Sequence, residues 1–148
     1  MFWYPMSLIH EIGHCLSVTI NGGSINGIVW RYGFLSETLR SGSNHPVVDI
    51  WSGPLFGAFI PLLIWFIFRN FGFGQYLQWF ASVCLIGNGL YLGFGWLESG
   101  TDSYDLILND VGLIPIMGSG SILFILGLFL LMWSKPHPNQ SLHGSGPQ

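Results

Sequence analysis

The stretch SLIHEIGHCLSV, residues 7–18, sets two histidines four apart with a glutamate beside the first. On a helix, positions i and i+4 share a face about one turn apart, so His10 and His14 can offer imidazole nitrogens to one ion. Glu11 then stands where its carboxylate can take a proton from water at that ion, the division of labour in His-Glu-x-x-His sites. Zinc suits such ligands and lowers the pKa of its water to about 7, which makes hydroxide available near neutral pH. Gly13 keeps the helix surface between the ligands uncrowded, although glycine weakens a helix by roughly 1 kcal/mol relative to alanine.

The surroundings of these side chains sharpen that reading. Apart from Tyr4 and Cys15, they are the sole ionisable groups in the first 30 residues. The chain of 148 residues is 50% hydrophobic and only 7% charged, against about 25% charged in an ordinary soluble domain. No Asp, Glu, Lys or Arg occurs over 50–68, 70–97 or 111–134. A helix needs roughly 20 apolar residues to cross a hydrocarbon core. The expected class is an all-α polytopic, multi-pass membrane protein in direct contact with the lipid bilayer. In hydrocarbon an ionisable side chain costs on the order of 2.5–3.5 kcal/mol by insertion scales and usually marks function. A metal would compensate three such groups at once.

Four membrane helices are expected, over about 3–20, 47–68, 76–97 and 114–133. Trp3, Trp51, Trp79, Trp96 and Trp133 fall near their ends, where amphipathic rings favour the headgroup level. After the first helix, Gly22-Gly23 and Asn26-Gly27 are turn signals, and Ile28, Val29, Trp30, Tyr32 and Phe34 have β propensity, so a short hairpin or strand is expected there. Residues 1–134 read as a membrane-embedded core and 135–148, polar and rich in Pro, Gly and Ser, as a disordered tail. Arg31 and Arg40 against Arg69 and Lys135 leave orientation open.

Several classes are disfavoured. A net charge of −3 with four basic residues argues against a nucleic-acid surface. The first stretch lacks the basic n-region of a signal peptide. Cys15 and Cys84 have no metal-site spacing and read as buried structural thiols.

LIHEIGH within the first hydrophobic segment, the Gly-rich turn with strands after it, and SGPLFGAFIPLL in the second segment together resemble the site-2 protease family of intramembrane zinc metalloproteases. Gly53-Pro54 matches the family's Gly-Pro element. The resemblance covers about residues 5–115 and implies a third zinc ligand, an Asp from a later helix. Asp102 in GTDSYDLILNDVG takes that position, with Leu106 onward resembling the family's helix. Here Asp102 lies between Thr101 and Ser103 instead of Leu and Gly, and the family's Asn-x-x-Pro element is absent. Asp105, one helical turn along, and Glu98 therefore remain alternatives.

The resemblance implies hydrolysis of peptide bonds in membrane protein or peptide substrates, with Zn2+ held by His10, His14 and Asp102 and Glu11 as the catalytic base. It also implies that a strand within 24–34 pairs with the extended substrate. No domain for substrate selection is visible in the sequence, which leaves that task to regulatory partner proteins. Asn88 is a candidate for a substrate or oxyanion contact, or for an interhelical hydrogen bond. His45 and Asp49 read as interfacial polar residues, and His137 and His143 have no assigned role. Two other classes compete: a non-catalytic membrane scaffold with a structural or vestigial metal site, and a metal-transport component. The charge-free third and fourth segments weigh against transport.

Overall fold

The computed structural model describes residues 3–30 and 36–133. The tail expected to be disordered, with His137 and His143, lies outside the described residues, as do Arg31, Tyr32 and Phe34.

Helix α1 runs over Trp3–Ile20. It stops at a glycine pair that the backbone uses as a Schellman cap. The Gly23 amide donates to Val18 O at 2.8 Å and the Gly22 amide to Thr19 O at 3.3 Å, with Gly22 at φ 76°. A left-handed residue there satisfies carbonyls that the helix leaves open, and glycine takes that conformation without a Cβ penalty.

The chain then enters an antiparallel pair of strands, β1 over Ser24–Trp30 and β2 over Ser36–Ser41, in register from Ser24 opposite Ser41 to Ile28 opposite Thr38. A bulge between Ile25 and Gly27 bends β1. Alternation along a strand puts Thr38 and Arg40 on one face of β2. The hairpin packs against α1.

Three further long helices follow. Pro46 opens α2 (Pro46–Phe68) at a position where the missing N–H costs nothing. Helix α3 covers Gly74–Phe94 and continues into one 3-10 turn at Gly95–Leu97. A short helix, α4 (Asp102–Leu108), precedes α5 (Leu113–Met132). The spans Pro46–Phe68, Gly74–Leu97 and Leu113–Met132 are long and apolar enough to cross a membrane. Among the described residues α1 is not in that set, because its two imidazoles, carboxylate and hydroxyls lower its hydropathy. Three helices of that kind are therefore found where four were expected, with α1 at the expected position but more polar.

Helices α3 and α5 approach closely where glycines face each other. A Cβ on Gly89 would lie 2.6 Å from Phe124 N, and one on Gly120 would lie 2.6 Å from Gly93 N. Small residues let backbones meet without a hydrophobic driving force between helices. The buried core runs along these contacts through Ile50, Ala58, Ala81, Leu85, Leu92, Leu106, Ile116 and Leu123. Outward faces are apolar too: Phe59, Leu63 and Phe66 of α2 and Ile122, Ile125 and Phe129 of α5 are all exposed.

The helix expected over about 114–133 is α5, and a separate short helix, α4, precedes it across the stretch that holds Leu106. Thr101 caps α4, its hydroxyl accepting from Tyr104 N at 3.3 Å. At the other end Val111 N donates to Leu106 O at 3.0 Å and Asp110 takes φ 61°. The short polar side chain of Asp tolerates that region, and the break separates Asp102 and Asp105 from the apolar run of α5.

Candidate metal centre

His10 and His14 stand one turn apart on α1, and α4 brings Asp102 against both. His10 Nε2 is 2.9 Å and His14 Nε2 3.2 Å from Asp102 Oδ2, and the two Nε2 atoms are 3.1 Å apart. Three donor atoms on residues separated by up to 92 positions thus form a near-equilateral triangle.

The far side of each ring explains which nitrogen faces inward. His10 Nδ1 lies 3.1 Å from Asn88 Oδ1, and His14 Nδ1 lies 2.7 Å from the Asp49 carbonyl. The Asn88 amide is itself oriented, because its Nδ2 donates to Cys84 O at 2.9 Å and so turns Oδ1 toward His10. Both acceptors require a hydrogen on Nδ1, which leaves Nε2 as a lone pair in each neutral ring. Arg40 Nη1 is also 3.3 Å from His14 Nδ1. A ring nitrogen carries one hydrogen, and the nearer Asp49 carbonyl takes it, so Arg40 is an electrostatic neighbour of the ring.

Two imidazole lone pairs and a carboxylate oxygen therefore converge. Without a cation or added protons they repel one another. His10, His14 and Asp102 are the group that could hold a metal ion among the described residues. A tetrahedral ion with bonds of about 2.0–2.1 Å spaces its ligand atoms by about 3.3–3.4 Å, and the observed edges of 2.9, 3.1 and 3.2 Å are close to that. The donor set fits. Burial alone would raise the Asp102 carboxyl, but positive charge on the His14 and His10 side, which protonated rings supply in the absence of a cation, holds it well below the usual carboxylate range. It is present as an anion.

Small residues on α2 make room for these rings. A Cβ on Gly53 would collide with the His14 ring, and one on Gly57 would come within 2.7 Å of Asn88 Oδ1. Gly13 serves the same purpose on α1, since a Cβ there would be 2.6 Å from Ser52 O. The glycine noted beside the ligands thus lets α1 seat on α2.

Comparison with known protein families, curated proteins and solved structures finds no match for this chain. What the centre can do follows from its own side chains.

Glu11 is 1% exposed and accepts a hydrogen bond from the Thr38 hydroxyl of β2. It is not among the converging donors. Two residues along β2, Arg40 Nη2 lies 3.6 Å from Asp105 Oδ2. Asp105 therefore faces Arg40 while Asp102 faces the histidines, and Glu98 is exposed. A cleft of about 250 Å3 opens here, lined by His14, Thr38, Arg40, Tyr91, Asp102 and Asp105.

Asp49 differs from its expected place at a solvated interface. It is buried, with Oδ1 accepting from Ser17 Oγ at 2.6 Å and Asn21 Nδ2 at 2.7 Å. These bonds tie the end of α1 to the start of α2, which places the Asp49 carbonyl against His14. His45 is exposed, outside the cluster. Cys84 is buried as expected, but Cys15 is only half-buried.

Sequence reasoning missed Thr38, Tyr91 and the carbonyl of Asp49. No local signal marks them, because each acts across a distance in sequence of 27 residues or more from its partner or within a fold-dependent cleft. Asn88 carried one signal, an amide in an apolar run.

Proposed function

We propose that the chain is a multi-pass membrane zinc metalloprotease similar to the site-2 proteases, with α1 embedded in the bilayer beside α2, α3 and α5. One observation carries this reading: the Nε2 atoms of His10 and His14 and Asp102 Oδ2 converge within 3.2 Å while both Nδ1 atoms face acceptors. His10, His14 and Asp102 would hold zinc, leaving a fourth position for water, the pattern of hydrolytic and not of structural sites. Bound zinc would supply Lewis acidity, polarising a carbonyl and making water acidic.

The remaining chemistry belongs to the chain. Glu11 accepts a water proton as the water oxygen adds to the scissile carbonyl, then returns it to the leaving amine nitrogen as the C–N bond breaks. Asn88 and Asp49 hold the histidine rings in one tautomer. The substrate is an extended peptide from a membrane protein, reached once its helix partly unwinds. β2 forms one wall of the cleft, and the hairpin edge supports pairing with such a strand.

One observation favours a second reading, a scaffold with a structural metal site: the Glu11 carboxylate is capped by the Thr38 hydroxyl. Zinc analysis of purified protein beside cleavage of membrane peptides separates the two. The protease reading expects stoichiometric zinc and cleavage that Glu11→Gln abolishes. Zinc without cleavage of any transmembrane peptide supports the scaffold.

A further inference from the structure

Hydrolysis of an amide places negative charge on the carbonyl oxygen, and a site that accelerates it aims a hydrogen-bond donor where that charge forms. Backbone aside, four side chains lining the cleft carry donor hydrogens: His14, whose Nδ1–H is spent on the Asp49 carbonyl, Thr38, Arg40 and Tyr91. The Thr38 hydroxyl is spent on Glu11, and the Arg40 guanidinium, which keeps further N–H donors, is drawn toward Asp105 at 3.6 Å. Tyr91 is different. Its hydroxyl oxygen accepts the backbone N–H of Asp102 at 3.1 Å, and its own proton has no acceptor among the described residues.

The ring is fixed as well. It meets His10 edge-on, with centroids 5.5 Å apart and planes at 84°. One edge of the phenol therefore adjoins a ligand ring while its oxygen adjoins the backbone of the ligand Asp102. A hydroxyl that already accepts an N–H is polarised toward donating, because linked hydrogen bonds strengthen one another.

We propose that Tyr91 is the oxyanion donor of this centre, a catalytic residue of the hydrolysis. The assignment rests on the protease reading above. As the water oxygen bonds to the carbonyl carbon, the carbonyl π pair moves to oxygen and Glu11 takes one water proton. The Tyr91 O–H donates a hydrogen bond to that oxygen without giving up its proton. The carbonyl then reforms as the C–N bond breaks, its electron pair leaves with nitrogen, and Glu11 protonates that nitrogen. Tyr91 ends as it began.

Tyr91→Phe keeps the ring against His10 and deletes the donor. The probe is a phosphinic pseudopeptide, whose tetrahedral P–O− group imitates the oxyanion, measured with zinc content on full-length protein in detergent. The expected result is wild-type zinc content and phosphinate affinity lowered by about 100-fold, in line with loss of one oxyanion donor. Undiminished phosphinate affinity overturns the assignment. So does parallel loss of zinc, which would make the hydroxyl a mere anchor for Asp102. Wild-type protein that holds zinc but binds no phosphinate overturns the protease reading itself, and this assignment with it.

Discussion

Asn88 Oδ1 lies 3.1 Å from His10 Nδ1, and this contact between α3 and α1 decides which nitrogen of His10 faces Asp102. Partners of this kind fix ring orientation and raise ligand basicity, and their loss typically costs 10–100-fold in metal affinity. Asn88→Ala should weaken zinc binding by about that factor in a chelator competition titration. Asn88→Asp, which still accepts from Nδ1, should keep affinity near wild type. Equal loss in both variants would show that the amide serves only its bond to Cys84.

The ligands themselves should respond more sharply. His10→Ala or His14→Ala leaves two protein ligands, too few to hold zinc well, and elemental analysis should find the site empty. Asp102→Ala should lose zinc likewise. Asp105→Ala should keep it, because its carboxylate faces Arg40 instead of the histidines. Retained zinc in Asp102→Ala with loss in Asp105→Ala would reverse the two roles.

Glu11→Gln preserves shape and removes the proton acceptor. Zinc should stay stoichiometric while peptide hydrolysis disappears and uncleaved substrate co-purifies. Turnover at the wild-type rate would end Glu11's role as base.

Gly53→Ala tests how tightly α2 is fitted to His14. Alanine gains about 1 kcal/mol of helix propensity, but its Cβ collides with the His14 ring, and overpacking of this kind costs typically 1–3 kcal/mol. The collision should win. Zinc content and thermal midpoint should both fall, and a midpoint that rises with zinc retained would contradict the fit.

Acid should release the metal, because metal affinity depends on deprotonated ligands. The Asp102 carboxyl is held below its usual range, so it stays anionic as the pH falls from neutral into the ordinary carboxylate range. Protons compete for the ligand atoms, and zinc occupancy should fall as the pH is taken from neutral to acid. The stability that Asp102 contributes is present above its unfolded value of about 3.9 and is lost only as pH falls from there toward the folded one. Zinc occupancy followed by equilibrium dialysis from neutral to acid pH measures the first step.

His10, Glu11 and His14 were legible in the sequence because helix geometry is local: a spacing of four needs no knowledge of the fold. The helix boundaries were nearly so, since charge-free runs and Gly or Pro punctuation fall at their ends. Asp102 was singled out only through resemblance, and its rival Asp105 stayed open because three-residue spacing on a helix puts both carboxylates on neighbouring faces. The contact of Asp105 with Arg40 separates them. Asp49 was misplaced because a carboxylate at a segment end ordinarily meets water. Here Ser17 and Asn21 of α1 bury it, a pairing that depends on how α1 seats against the glycines of α2. The extra helix α4 was hidden by its length, since seven residues are too few to establish a period.

The triangle of donors also has a mechanical side. Helix α1 packs on α2 and on the hairpin, and α4 packs on α2, α3 and the 3-10 turn, while α1 and α4 share little beyond the ligands themselves. An ion held by His14 and Asp102 would span 88 residues of chain and clasp the first helix to the seam between α3 and α5. Free ion at 100 times its dissociation constant would add about 2.7 kcal/mol to folded stability, as a buckle would between α1 and α4. With the clasp released, little else would join α1 to α4.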